Sequence, residues 1–309
     1  MSLHYDDCME LSILPVLLIG FNRPELLEMR VEELLQNKVT NLSISIDGNE
    51  LLRNEMEQSI RKIEKMCKNK CRLATKLHSK NLGLAGHITS EITRMLEIYP
   101  EIIVLEDDIE IGNGFLTNMS NGLKTLREKN NLGIVSGFSP VTKKINFPIS
   151  NQWRLSPYFN CWGWVCTREV WKYYVLDLSD HNLNQELEKS RTWNRLNKWQ
   201  QYLWLSRFIK IQRTPYHTWD IQFQYMCFKH EMLNVSPLFS ITNNAGFDDY
   251  RSIHTKGKKP KWMSNSMVNS DIVISNAPKI ICLFYSKILE PLTTAGDSRI
   301  IRLRNKIKN

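Results

Sequence analysis

No stretch of this chain is long and apolar enough to cross a bilayer. The longest run near the start, residues 11–19, contains Pro15 and falls far short of the ~20 apolar residues a spanning helix needs, so it reads as a core strand. Glycine-rich phosphate signatures are also missing: there is no Gly-x-Gly-x-x-Gly and no Walker lysine. No internal repeat, low-complexity tract or RNA- or DNA-binding motif is present, so nucleic acid is not expected as a partner. The seven cysteines (Cys8, Cys67, Cys71, Cys161, Cys166, Cys227, Cys282) are odd in number and scattered, which argues against a disulfide framework. Cys67 and Cys71 are spaced for one helix face and Cys161 and Cys166 flank aromatic residues, yet neither pair has partners at zinc-ligand spacing. The start carries no charged-then-apolar leader with a small-residue cleavage site. A reducing cytoplasm is the compartment these absences favour.

What is there begins with an ample core. The chain has 309 residues, of which 42% are hydrophobic, enough for one large or two modest domains. The net charge of +9 is unevenly placed. Residues 256–309 hold eleven Lys and Arg against Asp271, Glu290 and Asp297, so nearly all of the excess lies in a basic C-terminal extension behind a neutral body. Within it residues 280–289 are apolar and aromatic, and 299–308 interleave Ile300, Ile301, Leu303 and Ile307 with five cations. That pattern suits an anionic membrane surface, at the inner face of the cytoplasmic membrane, and equally a solvated helical face on a soluble protein. Residues 256–261 resemble a flexible linker.

Strands and helices alternate in the first third. Residues 14–19 read as a buried strand, Phe21-Asn22-Arg23-Pro24 breaks it, and Leu26, Leu27, Val31, Leu34 and Leu35 recur at helical spacing. A second strand at 42–46 ends in Asp47-Gly48 before a polar helix to about residue 69. A third near 72–77 leads into Asn81-Leu82-Gly83-Leu84-Ala85-Gly86-His87 and a helix marked by Ile88, Ile92, Met95 and Leu96. The fourth, 102–105, ends in acids. This order predicts a parallel sheet with helices on both faces. From Gly114 the loops lengthen; a strand at 133–137, a long Trp-rich helix over 186–210 and a late strand at 238–242 are the expectations there.

Residues 101–111 carry the most information. An apolar strand delivers Glu106, Asp107 and Asp108 to its own carboxyl end, and clustered carboxylates repel one another and cost desolvation unless water, a hard cation or hydrogen-bond donors compensate them. Carboxyl ends of strands are where ligands sit in open α/β sheets. A divalent metal bridging the acids to a substrate phosphate fits, as does a solvated turn with an acidic helix cap. Other strand ends carry paired readings as well. Asp47 is placed to accept from a nucleobase or ribose, or to make an Asp-Gly turn. Arg23 is placed to pair with phosphate, or to cap a loop. The glycines of Asn81 to Gly86 allow a backbone to approach a ligand. Asn160, Trp162, Gly163 and Trp164 form an aromatic pair around a glycine that suits the C–H face of a sugar, or a core. Asp220, after Trp219, is a candidate general base or an N-cap. His254 is a candidate metal or phosphate ligand, or structural.

Taken in order, the segments Phe21-Asn22-Arg23-Pro24, Ile46-Asp47-Gly48, Asn81 to Gly86, Leu105 to Asp108, Trp162-Gly163-Trp164, Trp219-Asp220 and Asn244 to Asp248 with His254 resemble a bacterial GT-A glycosyltransferase. The likeness is to family 2-type enzymes and the β-1,2-N-acetylglucosaminyltransferase I group, and it covers about residues 12–255. It implies an α/β GT-A (Rossmann-like) fold: a mostly parallel central sheet flanked by helices, with a nucleotide-sugar half at 12–112, an acceptor-side half at 113–255 and the extension 256–309. It also implies the roles. Asp108 takes Mn²⁺ or Mg²⁺ with support from Asp107, and Arg23, Asp47, Asn81 and Gly83 border the nucleotide. Asn160, Trp162, Gly163 and Trp164 border the sugar, and Asp220 is the base, with Asp248 and Asp249 as competitors. His254 is a further metal or phosphate ligand. The activity implied is inverting transfer of a hexose or N-acetylhexosamine from a UDP-sugar to a lipopolysaccharide or capsule acceptor, free or lipid-linked. A sugar nucleotidyltransferase and a non-catalytic sugar-binding protein are the rival classes.

Overall fold

The computed structural model describes residues 14–129, 132–140, 152–248 and 251, together with 282, 284, 285, 287 and 290. His254, Asp249 and most of 256–309 lie outside the described residues. The chain is an α/β protein built on one eight-stranded sheet with helices on both faces.

The first half runs β1 (Val16–Gly20), α1 (Pro24–Gln36), β2 (Asn41–Ile46), α2 (Arg53–Cys67), β3 (Arg72–Leu77), α3 (Leu84–Ile98), β4 (Glu101–Glu106), β5 (Ile109–Ile111) and α4 (Phe115–Glu128). β1 is buried at every position because both of its faces are covered, which is why it reads as an unbroken apolar run rather than an alternating one. Its side chains still divide by the strand's period of two. Val16 and Leu18 join Leu27, Val31 and Leu34 of α1 on one face, whereas Leu17 and Ile19 join Ala85, Ile88 and Ile92 of α3 on the other. Pro24 opens α1 where a missing N–H costs nothing.

The second half runs β6 (Val135–Ser136), β7 (Trp153–Ser156), β8 (Trp164–Thr167), α5 (Arg168–Trp171), α6 (Leu183–Glu188), α7 (Arg191–Asn194), α8 (Lys198–Arg213), α9 (Asp220–Lys229), β9 (Asn234–Pro237) and β10 (Thr242–Asn244). The sheet order is β3-β2-β1-β4-β8-β6-β9-β7, with β5 and β10 forming a separate antiparallel ribbon. β3, β2, β1 and β4 pair in parallel, and β6 pairs in parallel with β9. β8 is antiparallel to both its neighbours and β7 to β9. The sheet is therefore mixed: the parallel expectation holds for the first four strands, and β8 and β7 run against them.

The expected helix over 186–210 is three helices. Ser190 accepts from the Trp193 N–H to start α7, and Asn197 and Gln200 exchange hydrogen bonds in a capping box that starts α8. These turns let Trp193, Trp204 and Phe208 converge with Tyr225 and Phe228 of α9 in a third cluster beside the sheet. The expected strand at 238–242 is the loop between β9 and β10, with only Thr242 in a strand, and that at 133–137 shortens to β6.

Part of the basic extension packs into the body. Beside β7, Glu290 pairs with Arg154 at 2.7 Å, both side chains fully buried. The Ser156 hydroxyl donates to Glu290 at 2.6 Å, the Tyr285 hydroxyl donates to the Leu238 carbonyl at 2.6 Å, and the Arg154 guanidinium lies 4.5 Å from the Tyr285 ring centre. Among the described residues no helix is long and apolar enough to cross a membrane.

Candidate functional site

Strand order reverses at β1, which has β2 on one side and β4 on the other. Such a switch point opens a crevice at the carboxyl ends of its strands. The ladder continues just past those ends: the Asp107 N–H donates to the Ile19 carbonyl at 2.9 Å and the Asp47 N–H to the Gly20 carbonyl at 3.0 Å. Asp47 and Asp107 are thereby fixed on either side of the β1 terminus, and Arg23 enters from the turn that follows it.

Arg23 pairs with both acids, with Asp107 in a short contact and with Asp108 at 3.1 Å. One guanidinium thus faces two carboxylates, while the Asp107 Oδ2 and Arg23 Nε atoms are buried with no hydrogen-bond partner. Burial dominates the electrostatics. It pushes Asp107 up to about 7 and raises Asp108, with Arg23 opposing both shifts. Glu106 rises well above the usual carboxylate range through burial and then through the charges of Asp108, Asp107 and Asp220. Cys161 is raised well above its ordinary value by burial, then by Glu106 and Asp220. The fold therefore brings Asp220, more than a hundred residues further along, into the field of the acidic triplet.

Asp220 is the first residue of α9, and Trp219 holds the capping position. Its carboxylate is bonded by the Thr218 hydroxyl, so the N-cap alternative is not what the side chain does. Trp219 is buried and stacked on Trp164 with ring centres 5.6 Å apart, which fixes where Asp220 projects. The ribbon of β5 and β10 is tied to the acids from a further element: the Ala245 N–H donates to the Asp108 carbonyl at 2.8 Å, and Asp248 lies in the short 3₁₀ turn Gly246–Asp248 beyond it.

The remaining predicted residues divide. Asp47 is buried, and its Oδ1 accepts from the Gly48 N–H at 2.9 Å and the Leu82 N–H at 2.8 Å, so it makes the Asp-Gly turn and ties it to the loop holding Asn81 and Gly83. Any side chain at Gly48 would collide with the Lys80 carbonyl. Asn81 and Gly83 are exposed beside this turn, and the Asn81 side chain accepts from the Gly83 N–H at 2.7 Å. Gly83 has a φ of +74° and leads into α3, whose first turn has no side-chain cap. Trp164 is wholly buried among Phe159, Trp219 and Phe223, so it belongs to the core and presents no ring face to a sugar. Gly163, with φ +69°, serves packing: a Cβ would lie 2.9 Å from Thr242 and 3.2 Å from Leu105. Trp162 is half-buried against Phe138 and Phe247. Asn160 is half-buried, with a buried amide nitrogen that has no partner.

Two participants were not assigned to the site from the sequence. Cys161 joins Glu106 in the same acidic group. Arg30 is buried on α1, donating to Glu33 at 2.7 Å, while Glu33 also accepts from the Ile111 N–H at 3.0 Å and so holds β5 in place. The available signal was an arginine among Leu27, Val31 and Leu34 of the apolar stripe.

Among the described residues no three His, Cys, Asp or Glu side chains gather as a ready-made cage for an ion. No protein-family model matches the chain, and no curated protein matches its sequence.

The Asp107 shift has a measurable consequence. An unfolded-chain Asp ionises near pH ~4, and folded Asp107 at about 7. Between the two the folded state holds a proton the unfolded state has lost, so the stabilising contribution present below the lower value is lost as pH rises through the upper one. The slope is about 1.4 kcal/mol per pH unit. In metal-free buffer Asp107→Asn is expected to flatten the fall in melting temperature across this window. An unaltered pH profile in the variant would refute the assignment.

Proposed function

We propose that the chain is an inverting, metal-dependent glycosyltransferase that moves a hexose or N-acetylhexosamine from a nucleotide sugar, UDP-linked, to a bacterial surface-glycan acceptor. What carries this reading is the meeting of Arg23, Glu106, Asp107 and Asp108 at the carboxyl ends of β1 and β4 with Asp220 delivered from α9. The mixed sheet with its parallel half, reversed at β1, is compatible with the GT-A arrangement.

The acids suit a hard cation. Asp107 has a buried oxygen without a partner and Asp108 adds a second carboxylate, and Mg²⁺ or Mn²⁺ sites commonly use one or two protein carboxylates and complete themselves with substrate phosphates and water. When bound, the ion would neutralise charge developing on the departing diphosphate. Arg23 is placed to turn from the acids to the phosphates, and its planar fork matches either partner. Glu106 adds a further carboxylate beside the acids. Asp220, on a separate element facing the acids, takes the proton from the acceptor hydroxyl; one base acting opposite the leaving group gives inversion. Trp162, the partly exposed member of the aromatic pair, borders the sugar together with Asn160, and the exposed Asn81 and Gly83 with the α3 N-terminus border the nucleotide. The protein would work in the cytoplasm, at the inner face of the membrane where a lipid-linked acceptor sits.

The test is the product. Incubated with UDP-sugars and Mn²⁺, the protein is expected to release UDP, measured by coupled assay or chromatography. Release of pyrophosphate instead would indicate nucleotidyl transfer, and donor binding without turnover would indicate a sugar-binding protein. Either result overturns the proposal.

A further inference from the structure

The outer face of α8 is chemically unlike an ordinary solvated helix. Gln200, Trp204, Phe208 and Ile211 point inward at helical spacing. On the opposite side Trp199 is 44% exposed and Tyr202 72% exposed, followed along the same stripe by exposed Ser206, Lys210 and Arg213. Two large aromatic rings presented to water within one turn are uncommon without a partner. The stretch of chain that carries them has charge of one sign: between Glu188 and Asp220 there is no Asp or Glu, while Lys189, Arg191, Arg195, Lys198, Arg207, Lys210 and Arg213 all fall there, and the exposed Asp180 approaches the helix from another segment, beside Ile209 and Gln212. Arg191 is engaged by Glu231 and Arg207 lies over the Trp204 ring at 4.8 Å. Lys198, Lys210 and Arg213 are exposed on the same helix.

We propose that this face of α8 is a docking surface for an anionic lipid bilayer. Indole and phenol rings settle at the boundary of headgroup and acyl chain, and lysines and arginines beside them are attracted to anionic headgroups. The cations favour this occupant over a neutral glycan, and rings suited to the boundary of headgroup and acyl chain favour it over a free polyanion. The basic extension reinforces the same side: the Lys287 ammonium donates to the Arg195 carbonyl at 2.9 Å, just before α8 begins. No residue of this face belongs to the acidic crevice, so the assignment stands whether or not the transferase reading does.

The test is co-sedimentation of the full chain with vesicles of phosphatidylglycerol mixed with phosphatidylcholine, against phosphatidylcholine alone. Binding is expected only to the anionic vesicles and weaker at high salt. Trp199→Ser with Tyr202→Ser should lower partition roughly tenfold, and Lys198→Glu, Lys210→Glu and Arg213→Glu together roughly a hundredfold. Trp199→Phe with Tyr202→Trp should retain it. All these positions are exposed, and an unchanged circular dichroism melt certifies the fold. Undiminished partition in both sets of variants would overturn the proposal. So would binding lost only on removal of residues 291–309, no binding to anionic vesicles, or binding to polyanions such as heparin without binding to vesicles.

Discussion

Asp108→Ala is expected to reduce metal-stimulated release of UDP from a UDP-sugar by roughly 10³-fold. The size follows from the chemistry: an ion held against a leaving diphosphate is worth several kcal/mol at the transition state, and each 1.36 kcal/mol is about tenfold in rate. The geometry makes the substitution informative. Arg23 bonds both Asp107 and Asp108, so losing Asp108 leaves the guanidinium one carboxylate partner and spares the main-chain bonds from Asp107 to Ile19 and from Ala245 to Asp108. Stability should fall by about 1–3 kcal/mol, the usual range for losing a buried hydrogen-bond partner, because Arg23 keeps its pair with Asp107. UDP binding without metal should survive, since the Asp47 turn and the α3 N-terminus are untouched. Asp108→Glu should restore part of the metal response. If Asp108→Ala keeps full metal-stimulated turnover while melting normally, the acidic triplet holds no catalytic ion.

The half of the molecule that could be read from sequence is the half whose signals are local. Strands β1, β2 and β4 lie within one or two residues of their apolar runs, because strands covered on both faces need no partner to declare themselves, and the largely exposed edge strand β3 also falls at 72–77. Asp107 and Asp108 were legible for the same reason: acids at the end of a buried strand mark a crevice whatever the rest of the chain does. Strands β7 and β8 were not, and β6 only as part of a longer expected strand, since two to four residues carry too little period, and their place depends on pairing with β9 and β4 from far along the chain. Register explains the aromatic pair. Trp164 lies inside β8 opposite Val104, which turns its ring into the core, whereas Trp162 precedes the strand and stays partly exposed. No spacing rule separates two tryptophans two residues apart. The pairing of Arg23 was not visible: its position after β1 suggested phosphate or a loop cap, and its contact with both acids appears only in three dimensions. The single-sign exposed stretch of α8 was written in the sequence but concealed inside a Trp-rich helix that looked like core.

Asp220→Asn is expected to lower transfer to an acceptor by about 10² to 10⁴-fold, the range a positioned general base supplies, while leaving donor binding near its original strength. Asparagine keeps the oxygen that accepts from the Thr218 hydroxyl, and the side chain sits on α9 behind Trp219, whose stack on Trp164 does not involve the carboxylate. The variant therefore loses basicity with little change of shape. Removing one anion from a crowded set also relieves Glu106 and Cys161, both of which Asp220 raises. The melting temperature should consequently hold or rise slightly even as activity disappears, and this opposition of stability and turnover distinguishes a base from a structural carboxylate. The decisive control is Asp248→Asn, in the turn beside β10. It should leave transfer largely intact if Asp220 is the base. Should Asp248→Asn silence the protein while Asp220→Asn transfers normally, proton removal belongs to the ribbon of β5 and β10, and the acceptor must approach from that side of the crevice.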